Sequence, residues 1–328
     1  MLRTKARFPD VPSGKGHYES FYLKACHPSE PLGVWIRYTV HKNSAQAPQG
    51  SLWFTLFDGS ADGPFASKVT TPEVTAPDGA YIQIGDSTFG DGHVAGTAKT
   101  EQLDASWELS FASDQEPLFH LPREWMYRAP VPKTKLLTPY PDARFDGVVR
   151  AGEREVSIEG WRGMIGHNWG TQHAERWIWL HGVGFDGAED VWLDAAIGRI
   201  KLGLVKTPWI ANGTLYADGE RHRLGGPERA RGTKVTETPT RCDFLLPGAD
   251  VTVSGRVESD AKNFVGWVYA DPDGPEHNTV NCSIADMTLT LSGEGRPDRQ
   301  LRLRGGAAYE LGMREKDHGM PLQPFRDG

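Results

Sequence analysis

The sequence is notable first for what it lacks. No basic run exceeds a few residues, and 43 acidic against 36 basic side chains leave a formal net charge of −7. That balance argues against nucleic acid as a partner and against strong attraction to anionic lipid. No apolar run approaches the ~20 residues that span a bilayer as a helix. Weak peripheral membrane contact is the most that is expected, and no amphipathic helix offers itself to mediate it. Cysteine is scarce. Cys26, Cys242 and Cys282 are an odd count at scattered spacings, which fits a reducing compartment better than a disulfide framework. The opening "MLRTKARFPDVPSGKG" has no apolar core of the signal-peptide kind, so the expectation is a cytoplasmic protein. Sustained 3.6-residue apolar stripes are missing too, and only "GPERARG" suggests a helical turn or two. There is no Cys-x-x-Cys, His-Glu-x-x-His, phosphate-binding loop or dinucleotide fingerprint.

What is present is turn and ring. Gly 38, Pro 23 and Trp 11 are dense for a chain of 328 residues. Alternating segments recur between turn residues, among them "HYESFYLKA", "GVWIRYTVHK", "SLWFTLFDG", "AERWIWLHGVGF", "DVWLDAAIG" and "QLRLRGGAAYELG". Strands at this spacing without intervening helices predict antiparallel sandwiches or barrels. The Pro-rich stretch from Arg128 to Gly147 reads as a linker. An internal repeat points to a different boundary. His-x-Glu-x-aromatic occurs at His17 and again at His173, and two similar strand-Gly endings close at Gly170 and Gly312. The expected domains are therefore β-barrels over residues 1–170 and 171–328.

The candidate site lies in "GHNWGTQHAERWIWLH" and "VWLDAA". Side chains two apart on a strand share a face. His167 goes with Trp169; His173, Glu175, Trp177, Trp179 and His181 form a second set; Trp192 goes with Asp194. Aromatic rings beside titratable groups suit a pocket that holds an apolar molecule against a few polar ones. Asp194 or Glu175, buried beside indoles, would have a raised pKa and could protonate an alkene. Aromatic faces would stabilise the cation by roughly 0.5–2 kcal/mol per ring, and His167 would handle water. Each of these tryptophans is, taken alone, more often core packing, and Glu175 is as readily an ion-pair partner. His167, His173 and His181 match no established zinc spacing, so no metal is expected. Gly85-Asp86-Ser87 is read as a turn.

The run "FDGVVRAGEREVSIEGWRGMIGHNWGTQHAERWIWLHG" resembles the central signature of the two-domain lipocalin-like superfamily. That superfamily includes the carotenoid 1,2-hydratases, the AttH-like proteins and the tocopherol cyclases. The resemblance implies two consecutive lipocalin-like antiparallel β-barrels with little helix, and chemistry on polyene or prenyl substrates without a cofactor. In the hydratases a His-x-Trp pair, followed by an aromatic-x-Asp pair, is implicated in adding water to an isoprenoid double bond. His167 with Trp169 and Trp192 with Asp194 match those positions, although the hydratases carry Tyr where this chain has Trp192. The function expected is thus acid–base hydration or cyclisation of an apolar isoprenoid-type molecule. Asp194 and His167 would be catalytic, and Trp169, Trp192, His173, Glu175, Trp177 and Trp179 would bind substrate. The alternative is a lipocalin-like carrier of a hydrophobic molecule that transforms nothing.

Overall fold

The computed structural model describes residues 2–202, 205–293, 295 and 297–326. The chain is all β. The helical segments among the described residues are short 3₁₀ turns at Phe8–Asp10, Glu124–Tyr127, Pro227–Arg229 and Ala261–Asn263. Among the described residues no helix is long and apolar enough to cross a membrane.

Two sheets carry the architecture. The first is built from β1 (His17–Cys26), β2 (Leu32–Lys42), β3 (Gln49–Asp58), β4 (Phe65–Thr71), β5 (Ala80–Ile84), β6 (Ser87–Gly90), β7 (His93–Lys99), β8 (Asp104–Ala112), β9 (Thr134–Ala151) and β10 (Arg154–Gly170). They lie in the order β4-β3-β2-β1-β10-β9-β8-β7-β6-β5. The sheet curls into a barrel, and where β4 meets β7 the Ser67 hydroxyl donates to the Ala98 carbonyl at 3.1 Å. The second sheet uses β11 (Arg176–Phe185), β12 (Ala188–Arg199), β13 (Ile210–Ala217), β14 (Glu220–Gly225), β15 (Lys234–Thr238), β16 (Arg241–Pro247), β17 (Thr252–Glu258), β18 (Val265–Ala270), β19 (Glu276–Ser292) and β20 (Arg299–Met313). Its order is β14-β13-β12-β11-β20-β19-β17-β16-β15, with β18 pairing on β19. A bridge between Leu224 and Gly248 draws its ends together.

Both sheets thread the same path, with β11 in the place of β1 and β20 in that of β10. The registers agree at the corner: Tyr18 pairs with Gly170, and Trp177 pairs with Gly312. The similar endings at Gly170 and Gly312 thus occupy corresponding positions. The two His-x-Glu motifs do not. His17 and Glu19 are on β1, whereas His173 and Glu175 fall in the connection before β11 begins at Arg176.

The Pro-rich linker reading is overturned from Thr134 onward. Residues 134–151 form one 18-residue strand within the first sheet. Its register slips between Leu137 and Tyr140 and between Tyr140 and Ala143, the intervals that hold Pro139 and Pro141. A bulge leaves a residue out of the ladder, so a missing N–H is tolerated there.

Strands β1 to β3 are buried almost end to end. Phe21, Leu23, Val34, Ile36, Phe54 and Leu56 point into the first barrel. On the opposite face, Trp35, Trp53 and Phe57 join the core of the second. The barrels therefore pack wall against wall, and Trp53 meets Trp267 edge-on at 5.1 Å. Hydrophobic burial on two faces is why β1 to β3 lack a solvent-facing polar row.

Candidate functional site

Strand alternation sends Leu193, Ala195, Ile178 and Leu180 into the second barrel. Their neighbours Asp194, Trp179 and His181 therefore project from its wall toward the first barrel. His181 pairs with Asp194 across β11 and β12, and Trp179 pairs with Glu310 across β11 and β20. Tyr22 and Lys24 of β1 come from the other side, where Met164, Trp179, Ala308 and Tyr22 pack together. The result is a layer of polar and aromatic side chains enclosed between two barrels. It contains several fully buried polar atoms without a hydrogen-bond partner among the described residues, including His181 Nδ1, Asn281 Oδ1 and Ser283 Oγ. Such groups call for water or a ligand to satisfy them.

Asp194 is the centre of this layer. One carboxylate oxygen accepts the Trp179 indole N–H at 3.1 Å, and the other accepts the Thr138 hydroxyl at 2.6 Å. The Thr138 oxygen in turn lies 2.9 Å from His120 Nε2, and His120 Nδ1 faces the Asn212 carbonyl at 3.0 Å. A carbonyl only accepts, so Nδ1 carries a proton. While Asp194 is ionised, Thr138 gives its proton to the carboxylate, so Nε2 donates to Thr138 and the imidazole is a cation. Burial alone would push the Asp194 carboxyl up, but the charge and hydrogen bond of His120, with help from His181 and Thr138, hold it down at about 2. Burial likewise opposes charging His120, and Asp194 overcomes it, so the imidazole pKa is raised. This corrects the expectation of a burial-protonated Asp194. The pairing favours the proton on His120, whose Nε2 lies 3.4 Å from the carboxylate.

His167 and Trp169 lie elsewhere. Leu137 pairs with His167, and Thr138 points to the opposite side of the same strand, so the first barrel's wall separates His167 from Asp194. Inside that barrel His167 stacks on Phe21 at 4.1 Å. Its Nε2 meets Glu19 at 2.7 Å and its Nδ1 meets the Thr4 hydroxyl at 2.7 Å. Glu19 also accepts the backbone N–H groups of Arg7 and Phe8, and the Arg7 guanidinium sits 4.9 Å over Trp169. Burial pushes Glu19 up, but its bonds to His167 and His17 hold it at about 2. Burial dominates for His167 and lowers its pKa. These residues clamp the N-terminal segment onto the first barrel, whose core Ala6 and Phe8 enter.

The remaining candidates divide as follows. Trp192 projects from the same face of β12 as Asp194, where it stacks on Tyr216 at 5.6 Å and packs with Leu118 and Val183. Glu175 forms an ion pair with Arg314 at 2.8 Å. His173 bonds Asp271 at 2.8 Å and stacks between Tyr18 and Trp177. Trp177 lies flat over Gly312, where an added Cβ would come within 2.1 Å of the ring, and its N–H donates to Glu310 at 2.9 Å. Sequence reasoning missed His120, Thr138, Asp271 and His277. His120 stands in "LFHLPREW", which carries no spacing signal; Asp271 and His277 stand in "ADPDGPEHN", where acid, turn and imidazole are crowded enough to have been noticed.

No protein-family model matches the chain. An uncharacterised protein of Mycobacterium tuberculosis, found in strains CDC 1551 and H37Rv, is 25% identical over 311 residues, covering 92% of this chain and 91% of its own. Among solved structures, an AttH-type protein from Nitrosomonas europaea aligns with TM-score 0.59 at 13% identity over 94% of this chain and 97% of that one. Kievitone hydratase from Nectria haematococca aligns with TM-score 0.51 at 9% identity over 92% and 89%. The fold is thus the two-barrel, lipocalin-like one that the resemblance implied, and it is shared with a hydratase.

Proposed function

We propose that this chain is an acid–base enzyme that hydrates or cyclises a hydrophobic, isoprenoid-type small molecule in the layer between its barrels. The observation that carries the reading is the fully buried relay from His120 through Thr138 to Asp194. A buried ion pair is at best a weak contributor to stability, and well-packed apolar side chains would serve a core as well or better. Function is the better account of keeping it. Shifting two protons along the relay, Nε2 to Thr138 and Thr138 to Asp194, converts the charged pair into a neutral imidazole and a carboxylic acid. That acid can form the C–H bond of a protonated alkene. The Trp179 ring would face the cation, a water would attack it to form the C–O bond, and the proton released would return along the relay. In cyclisation an internal π-bond or hydroxyl replaces water. The fold's occurrence in a protein named a hydratase supports the same reading, and acid–base chemistry of this kind requires no cofactor.

The test is turnover. Linear isoprenoids incubated with the protein should yield a product heavier by one water, or an isomer, by mass spectrometry. Asp194→Asn and His120→Gln should each lose 10²–10⁴-fold. Full activity in Asp194→Asn would refute the assignment, and binding without product in the unaltered protein would identify a carrier instead.

A further inference from the structure

A second set of titratable groups lies at the far end of the interbarrel layer and takes no part in the relay. His173 comes from the 171–175 connection, Asp271 from the turn after β18, and His277 from the first turn of ladder in β19. His173 Nδ1 is 2.8 Å from Asp271 Oδ1, and His277 Nε2 is 3.2 Å from Asp271 Oδ2. One ligand atom from each residue lies within 4.8 Å of the others. From this geometry we propose a binding site for a single divalent transition-metal ion, held by the imidazoles of His173 and His277 and the carboxylate of Asp271.

The donor set fixes the class of ion. Two imidazoles and one carboxylate suit zinc, cobalt or ferrous iron, whereas calcium and magnesium prefer an all-oxygen shell. Metal–ligand bonds near 2.0–2.1 Å at tetrahedral angles place neighbouring donors about 3.3 Å apart. The imidazole nitrogens stand 2.8 and 3.2 Å from the two oxygens of the Asp271 carboxylate, and the three ligand atoms lie within 4.8 Å of one another, so small side-chain movements bring them to that spacing around an ion. Three protein ligands leave a position for water or a substrate atom, the pattern of sites that bind and exchange ligands.

The ligands are held in advance. Asp271 Oδ1 also accepts the His173 backbone N–H at 2.7 Å. The turn around it is closed by Asp271 N–H to the Pro275 carbonyl at 3.1 Å and Gly274 N–H to the Asp271 carbonyl at 3.3 Å. The His173 ring is sandwiched by Tyr18 at 4.1 Å and Trp177 at 5.3 Å. His277 is fully buried, and its Nδ1 has no partner among the described residues. Metal at Nε2 would move the ring proton to Nδ1 and take over the bond to Asp271, with no net change in protonation. Local charge permits a cation. Glu310 stands behind Trp177 and Tyr269, accepting from both, and offsets the Arg37 guanidinium 4.2 Å over the Tyr269 ring. The site also has a route in. His173 and Trp177 are only partly buried, whereas Asp194 is sealed.

The experiment is metal uptake by the full chain, freed of metal by chelator dialysis and titrated with Co²⁺ and with Zn²⁺. One equivalent should bind, and cobalt should show the visible absorption of a four- or five-coordinate site with nitrogen ligands. His173→Ala and His277→Gln should each weaken uptake at least 100-fold while circular dichroism stays that of the unaltered protein. Asp194→Asn should bind as the unaltered protein does, which separates this site from the proposed activity. A folded wild-type chain that takes up neither ion would overturn the proposal and leave the cluster a hydrogen-bonded His–Asp–His bridge. Stoichiometric uptake unchanged in both histidine variants would overturn it equally, because the ion would then be held elsewhere.

Discussion

The chemistry of this molecule turns on which atoms hold protons in places water does not reach. His120 and Asp194 give a definite expectation. The imidazole's folded pKa lies above its ordinary 6.5, so its contribution to stability is complete below that value and is lost as pH rises through the folded pKa. The carboxyl is held at about 2 against an ordinary 3.8, so its contribution is present above 3.8 and is lost as pH falls toward 2. Between those limits the pair stabilises most. Asp194→Asn leaves a buried cation without its partner, and breaking such a pair costs about 3–5 kcal/mol. Urea midpoints of the two proteins should therefore stand furthest apart at mildly acidic pH and converge in alkali, where His120 is neutral in both. A gap that widens with alkalinity would rule out the imidazolium. At this scale the sequence was only partly legible. Asp194, Trp179 and His181 could be placed on one wall by counting in twos. That count does not say which wall faces which, and His167 was separated from Asp194 by a strand belonging to the other set. The protonation state was misjudged for a related reason. Burial was visible in the neighbouring tryptophans, but the compensating cation came from a distant loop.

Among elements, the N-terminal segment and β9 depart furthest from their reading as sequence. Residues before His17 have no periodicity, yet Ala6 and Phe8 enter the first barrel's core, and Thr4, Arg7 and Phe8 engage His167, Trp169 and Glu19. This plug is held at a few points, so one side chain should matter. Phe8→Ala removes a ring that is 8% exposed and should destabilise the fold by about 3 kcal/mol. It should also speed hydrogen exchange at the Arg7 and Phe8 amides that Glu19 accepts. Stability unchanged in denaturant would show that the segment merely rests on the barrel. In β9 the prolines argued for a linker because each removes a ladder donor. The strand accommodates them at bulges, and bulge positions depend on the register of β10, which no local pattern encodes. The alternation in β11 and β12 was legible because each strand has one face in a barrel core. The connection at 171–175 broke the count for His173 and Glu175.

For the molecule as a whole, two sheets with the same path press together through walls that are apolar at one end and polar in the middle. Trp35, Trp53 and Phe57 of the first sheet belong to the second barrel's core, and Trp267 reaches back to meet them. Neither sheet therefore has a complete hydrophobic surface of its own. Repetition of the path could be suspected from the endings at Gly170 and Gly312. Mutual dependence could not, because it rests on pairings between residues more than two hundred positions apart. Inter-domain contacts inside one chain are commonly loose, and loosely joined domains unfold in separate steps. Here the shared core couples them. Far-UV circular dichroism, tryptophan fluorescence and the calorimetric enthalpy should report one coincident transition. Trp53→Ala, which opens the shared core at an indole with no exposed surface, should lower stability by about 3–5 kcal/mol and split that transition in two. Two transitions in the unaltered chain would mean that the barrels hold themselves up separately. The interbarrel layer would then be free to open without unfolding either one, and substrate would have an entry that the closed, coupled molecule must create by moving its walls apart.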